Sequence, residues 1–346
     1  MSLGWNQATL HKHLQAAVDL EFWTIPFYMS AMYSLTDPSG SPYRLIQSVV
    51  YQEMLHVQLA ANVANAFGLS PTFKQPVYEG KRIPHLDFAL DDPNPTTLFS
   101  PYSAEIGPFD TERINAFCLI EYPEWDTASE PDPKANIEEY GSIGEFYTAL
   151  AIGATEVVRN DPSALQGNVK QIDLFERFYS GYTEPKTSNI VQYEPETTAM
   201  IVNEDGQAGL RQVLALLEVV TSQGEGQTEG EDTIPLGFRN TADDVEPAFA
   251  HFTKFNNLRN ALPSLQNVSP AYPAKTYPLH RYPPKDPKGK EQKEAQERLR
   301  RNFAKFRKLL EELFSGGRLP DTFGVEMATL GGNILRCWQL GAVPTF

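Results

Sequence analysis

Glu53-Met54-Leu55-His56 lies within residues 42–67, a segment whose apolar periodicity predicts an α-helix. Residues three apart on a helix sit one turn apart on the same face. That face here is the apolar one, because the stripe runs Val49, Glu53, His56, Ala60, Val63, Phe67. A carboxylate and an imidazole thus occupy positions where core residues belong. Buried ionisable groups are costly unless they are paired or bind a metal.

The preceding segment repeats the anomaly. Residues 9–33 read as a helix whose stripe is Leu14, Val18, Glu21, Ile25, Tyr28, Met32, so Glu21 also takes a core position. Two neighbouring helices, one offering a Glu and the next a Glu-x-x-His, supply half of the dimetal carboxylate site that helical bundles build from inward-facing side chains. Glu-x-x-His alone is short and arises by chance, and a lone core histidine is usually just hydrogen-bonded. The coincidence with Glu21 is what favours a metal.

Composition sets outer limits. The chain has 346 residues, 41% of them hydrophobic, enough for one large domain or two ordinary ones. A net charge of −15 disfavours nucleic-acid phosphate as a partner. The basic residues between 285 and 308 alternate with Glu and read as a solvated helix face. Two scattered cysteines, Cys118 and Cys337, make neither a disulfide framework nor a thiolate metal site. No apolar run reaches membrane-spanning length and no signal-peptide core is visible, so the expectation is a cytoplasmic protein that does not engage a membrane.

Further helices are expected over residues 109–121, 142–158, 205–223, 243–257, 288–314 and 323–340, with a short one over 169–179 and a partly extended stretch over 192–203. Pro26 should kink the first helix or open a bulge, and Ser41 should cap the second with Pro42 at its first position. Residues 71–108 are rich in Pro, Asp and Tyr and read as a long crossover. The C-terminal stripe Leu299 to Leu313 suits packing on the bundle or on a second subunit, and Phe323 to Trp338 face inward.

A complete site also needs ligands from the second half. Glu145 is one candidate, but Ser142-x-x-Glu145 is equally a capping box. Glu218, Glu225 and His251 are the others, and no Glu-x-x-His joins them, since Ala248 precedes His251 by three. His11, His13, His85 and His280 read as surface or loop histidines.

Several blocks resemble the bacterial ferritin-like proteins grouped with iminophenyl-pyruvate dimer synthase of the violacein and rebeccamycin-type pathways. They are Leu20-Glu21-Phe22-Trp23-Thr24-Ile25-Pro26-Phe27-Tyr28, Gln52-Glu53-Met54-Leu55-His56, Ile120-Glu121-Tyr122-Pro123-Glu124, Ile143-Gly144-Glu145-Phe146-Tyr147, Gln223-Gly224-Glu225-Gly226 and His251-Phe252. The resemblance ends before Pro263, and Gln52 stands where the family more often has Glu. It implies a mainly α, ferritin-like four-helix bundle over residues 1–260, with long irregular crossover insertions. A proline-rich wrap and additional C-terminal helices over 261–346 would pack on it. It also implies that Glu225 and His251 are a split equivalent of Glu-x-x-His, and it raises Glu145 above its capping reading. Glu121 remains the runner-up ligand.

The expected metal ligands are therefore Glu21, Glu53, His56, Glu145, Glu225 and His251, holding two metal ions. Oxygen and imidazole donors suit iron or manganese, with iron favoured by analogy. Glu21 and Glu225 would be terminal, Glu53 and Glu145 bridging, and Tyr28 or Tyr147 would line the pocket. The expected function is a non-haem di-iron oxidoreductase acting on a small-molecule substrate in secondary metabolism, as a monomer or homo-oligomer. The rival is a ferritin-like scaffold or accessory binding protein with a degenerate site; iron storage is a weaker third reading.

Overall fold

The structure is a computed structural model that describes residues 4–90, 94–123, 134, 137–167, 169–174, 206–224, 245–246, 248–268, 275–280 and 287–346. Among the described residues there are eight α-helices and no strand. They are α1 (Gln7–Ser34), α2 (Ser41–Ala66), α3 (Thr111–Ile120), α4 (Ile143–Asn160), α5 (Gly206–Gly224), α6 (His251–Val268), α7 (Pro287–Phe314) and α8 (Phe323–Gln339).

Local chemistry sets the helix ends. Asn6 caps α1 by accepting from the Thr9 amide, and Asp110 caps α3 through the Arg113 amide. The α2 cap is Gly40 rather than Ser41, and it makes no side-chain bond; Pro42 sits in the first turn, where its missing N–H is no loss. Gly68, at φ +77°, ends α2 in the left-handed region, and the Leu69 amide returns to the Ala64 carbonyl at 2.9 Å. Pro26 does not end α1, which continues as one helix to Ser34. α6 starts later than its sequence pattern suggests, at His251, and continues through Pro263 to Val268. Residues 169–174 are not helical; the rest of that expected helix and the stretch 192–203 lie outside the described residues.

The helices close into a ring. α1 packs on α2, α2 on α5, α5 on α4, and α4 on α1. α1 and α2 are buried on almost every face, including polar positions such as Gln52, Gln58, Asn62 and Asn65 of α2. α4 covers the N-terminal half of α1: Phe146 stacks on His13, and Trp5 lies against Gly153. α3 covers the other half, where Phe117 meets the Tyr28 ring edge-on and the Phe109 amide donates to Ser34 Oγ. α6 pairs with α3 and also touches α2 and α5. The bundle therefore has two unbroken columns, α1 and α2, and two broken ones, α3 with α4 and α5 with α6. Four helix ends meet at the level of Glu21 and Glu53.

α7 and α8 pack on each other, α8 lies on α1, and α7 touches α2. Phe303 of α7 stacks on Phe22, and Trp338 of α8 donates its indole N–H to the Ser30 carbonyl at 2.9 Å. These contacts join the C-terminal stripes to the same hydrophobic core as the bundle. The crossover after α2 also lies on α1, with Trp23 donating to the Val77 carbonyl and Tyr78 donating to that of Trp23.

Two adjacent glycines of α8 test that docking. A Cβ at Gly331 would come 2.3 Å from Tyr33 Oη, whereas one at Gly332 would meet nothing within 4 Å. Gly331→Ala is expected to overpack the α1–α8 contact and destabilise by about 1–3 kcal/mol. Gly332→Ala, at an exposed site, should be neutral or stabilise by up to about 1 kcal/mol through helix propensity. Denaturant titration of both variants checks the pair.

Candidate metal centre

Five ionisable side chains converge where the broken columns are interrupted. Glu21 comes from the middle of α1, Glu53 and His56 from the middle of α2, Glu121 from the C-cap of α3, and His251 from the first position of α6. None is more than 3% exposed. Ligand atoms of Glu53, His56 and His251 lie within 4.8 Å of one another. His56 Nδ1 is 3.5 Å from Glu21 Oε2 and 3.6 Å from Glu53 Oε1. His251 Nδ1 is 2.9 Å from Glu53 Oε1 and 3.5 Å from Glu121 Oε2. The two imidazoles stack, with ring centroids 5.4 Å apart.

Each of these groups is held from its far side. Tyr147 Oη donates to Glu21 Oε1, Tyr28 Oη to Glu121 Oε1 at 2.5 Å, and Thr24 Oγ1 to Glu53 Oε2 at 2.6 Å. The imidazole Nε2 atoms face glutamine oxygens at 2.9 Å: His56 meets Gln223, and His251 meets Gln52. Free carboxylate oxygens and both Nδ1 atoms are left pointing at one another. Gly224, the last residue of α5, makes room for this, since a Cβ there would sit 3.0 Å from Glu121 Oε2.

The electrostatics call for a cation. Burial, then the Glu121 charge, push the Glu53 carboxyl well above its ordinary range, against the pull of His56. Burial lowers His56, but its hydrogen bond to Glu21 and the charges of Glu53 and Glu21 outweigh that and raise it. Burial and the Glu121 carboxylate hold Tyr28 far above its usual value, so it stays a donor. His251 Nδ1 is buried and makes no hydrogen bond to the described residues, despite its 2.9 Å approach to Glu53. An orphaned imidazole nitrogen facing buried carboxylates is the donor set of a metal site. The residues present therefore fit metal ions.

The sequence-derived ligands fare differently. Glu21, Glu53, His56 and His251 are brought together. Glu225 lies outside the described residues. Glu145 is not brought to the cluster: its carboxylate accepts from the Gly141 amide at 2.7 Å and pairs with Lys134 at 3.0 Å, while its own amide donates to Ser142. Glu145 thus acts in a cap like a capping box, with its return bond going to Gly141, one residue before the Ser142 N-cap, and this draws the side chain back toward the helix start. Glu218 is solvent-exposed on α5. Glu121 stands in the cluster instead. The available sequence signal was an acid flanked by Phe117-Cys118-Leu119-Ile120 and Tyr122, all buried. Of the expected surface histidines, His13 proves buried, with Nε2 2.7 Å from Tyr140 Oη.

A ferritin-like family model matches residues 14–260, which include every residue of this cluster. The chain belongs to the ferritin-like family. It is also similar to a ferritin-like protein from Caulobacter vibrioides, whose crystal structure superposes with a TM-score of 0.77. The two share 43% identity over 99% of each chain. The likeness thus extends beyond residue 260 to the C-terminal helices. No curated protein matches the chain. No helix among the described residues is long and apolar enough to cross a membrane.

Glu145→Ala is expected to lower stability by about 1 kcal/mol through the lost cap bond and to leave bound metal unchanged. Glu121→Ala is expected to remove metal. Metal analysis of the two purified variants, alongside their thermal midpoints, decides which glutamate is the ligand.

Proposed function

We propose that this ferritin-like chain is a non-haem dimetal carboxylate oxidoreductase. The observation that carries this reading is the buried convergence of Glu53, His56 and His251, with Glu21 and Glu121 alongside. Two ions, iron or manganese, would be held by Glu21, Glu53, His56, Glu121 and His251, with Glu225 as a further ligand. Such ions supply redox chemistry toward dioxygen or peroxide. Iron is favoured by analogy with the family.

The chain's own residues define what that chemistry meets. The cavity among Glu21, Glu53, His56, Glu121, Ile143, Tyr147 and Val220 holds about 10 Å³, near the size of one water. Bulk water is excluded, and charges placed there act in a low-dielectric site. Tyr147 and Tyr28 fix the orientation of Glu21 and Glu121 by donating to them, and burial with the Glu121 charge keeps Tyr28 protonated. Thr24 fixes one oxygen of Glu53 and leaves the other facing both imidazoles. Ile143 and Val220 supply the apolar part of the cavity wall. The blocks shared with the iminophenyl-pyruvate dimer synthase group support oxidative chemistry on a small molecule of secondary metabolism.

The rival reading, a scaffold or accessory protein with a partial site, draws on the distance in sequence between Glu225 and His251. Protein purified from iron- and manganese-supplemented cells separates the two. Two metals per chain are expected in the wild type, with loss in Glu53→Ala and His56→Ala. Fewer than one metal per wild-type chain, with no uptake on reconstitution, would favour the scaffold. Two metals retained in both variants would overturn the ligand set.

A further inference from the structure

Lys254 is fully buried in the first turn of α6, three residues after His251. Fully buried lysines are rare, and this one lies beside the cluster without being part of it. Its Nζ is 3.3 Å from Gln52 Oε1, the same atom that faces His251 Nε2 at 2.9 Å. Gln52 is itself 1% exposed and immediately precedes Glu53.

The chemistry of that shared atom has a consequence for the imidazole. A lysine ammonium has three donors and no acceptor. An amide end facing it must therefore be the carbonyl oxygen, not the NH2 group. That oxygen can only accept, so His251 Nε2 must carry a proton to bond with it. In a neutral imidazole the other nitrogen is then bare. That nitrogen is Nδ1, which lies 2.9 Å from Glu53 and 3.5 Å from Glu121. A bare nitrogen against two carboxylates is repulsive until a cation lies between them, and Nδ1 is a buried polar atom with no hydrogen bond to the described residues.

We infer that Lys254 is a positioning residue: through Gln52 it fixes His251 as the Nε2–H tautomer, so that Nδ1 is presented as a metal donor. This deepens the dimetal reading and rests on it for the identity of the guest, but not for the tautomer. The arrangement runs across the broken column. The α6 lysine orients an α2 glutamine, and that glutamine orients the α6 histidine. Such outer hydrogen bonds set both the tautomer and the ring orientation of metal-binding histidines.

The test uses the full chain labelled with [15N]histidine. Long-range proton–nitrogen spectra of the metal-free protein report which ring nitrogen is protonated, with His251 assigned by its loss in His251→Asn. Cobalt(II) affinity is measured by chelator competition. The wild type is expected to show His251 as a single Nε2–H form. Gln52→Leu and Lys254→Met should shift His251 toward a mixture of tautomers and weaken cobalt binding by about tenfold or more. Gln52→Glu, which keeps an acceptor oxygen between the lysine and the histidine, should retain both properties. If Lys254→Met does not fold, the Gln52→Leu and Gln52→Glu pair decides alone. A wild-type tautomer mixture, or an unchanged tautomer in Gln52→Leu, would overturn the inference. If the wild type takes up no cobalt while its tautomer still depends on Gln52, the positioning role stands and the dimetal reading falls.

Discussion

Three buried carboxylates facing two buried imidazoles are the constraint around which this molecule is organised. Glu21, Glu53 and Glu121 are each almost wholly removed from water. Anions so close together in a low-dielectric interior repel one another, and burial first, then the Glu121 charge, raise the Glu53 carboxyl. The fold answers with neutral donors on the far side of each carboxylate, namely Tyr28, Tyr147 and Thr24. The near side is left to a cation. Without a guest, the cluster is a local cost to stability that the surrounding apolar core must offset.

The broken columns follow from the same constraint. A continuous helix offers one inward side chain per turn, in a direction fixed by the backbone. Interrupting the third and fourth columns replaces two helix interiors with four helix ends, and each end supplies something different. α3 ends on Glu121, α4 begins near Tyr147, α5 ends on Gln223 and Gly224, and α6 begins with His251. Gly224 belongs to this set because its missing side chain leaves room for the Glu121 carboxylate. The unbroken columns, α1 and α2, carry the rest of the cluster on rigid helix, braced from outside by α7 and α8.

The family places this architecture among ferritin-like proteins, and the similarity to the Caulobacter vibrioides protein runs the length of both chains. The C-terminal pair belongs to that shared architecture. Trp338 and Phe303 reach α1 at Ser30 and Phe22, so the C-terminal pair packs on the helix that carries Glu21.

Much of this was legible in the residue pattern. The positions of Glu21, Glu53 and His56 follow from helical periodicity alone, because a charged residue on an apolar stripe has one direction to point. The eight helices of the described residues follow from the same pattern, although the short helix expected over 169–179 does not appear at residues 169–174. What periodicity could not decide was the identity of the second-half ligands. Ser142-x-x-Glu145 suits a cap and a ligand equally well as a string, and only the fold shows the carboxylate turned back to Gly141. Glu121 ends its helix rather than lying inside it, so no stripe predicts its direction; α6 and α5 bring its partners to it from more than 100 residues away in sequence. Lys254 and Gln52 are distant in sequence as well, and a hydrogen bond between them exists only once α6 lies on α2. Local periodicity placed Glu21, Glu53 and His56 on buried faces, but not Glu121 or His13. Tertiary packing decided which of them meet, because convergence at a helix break depends on how separate helices are placed and not on the period of any one of them.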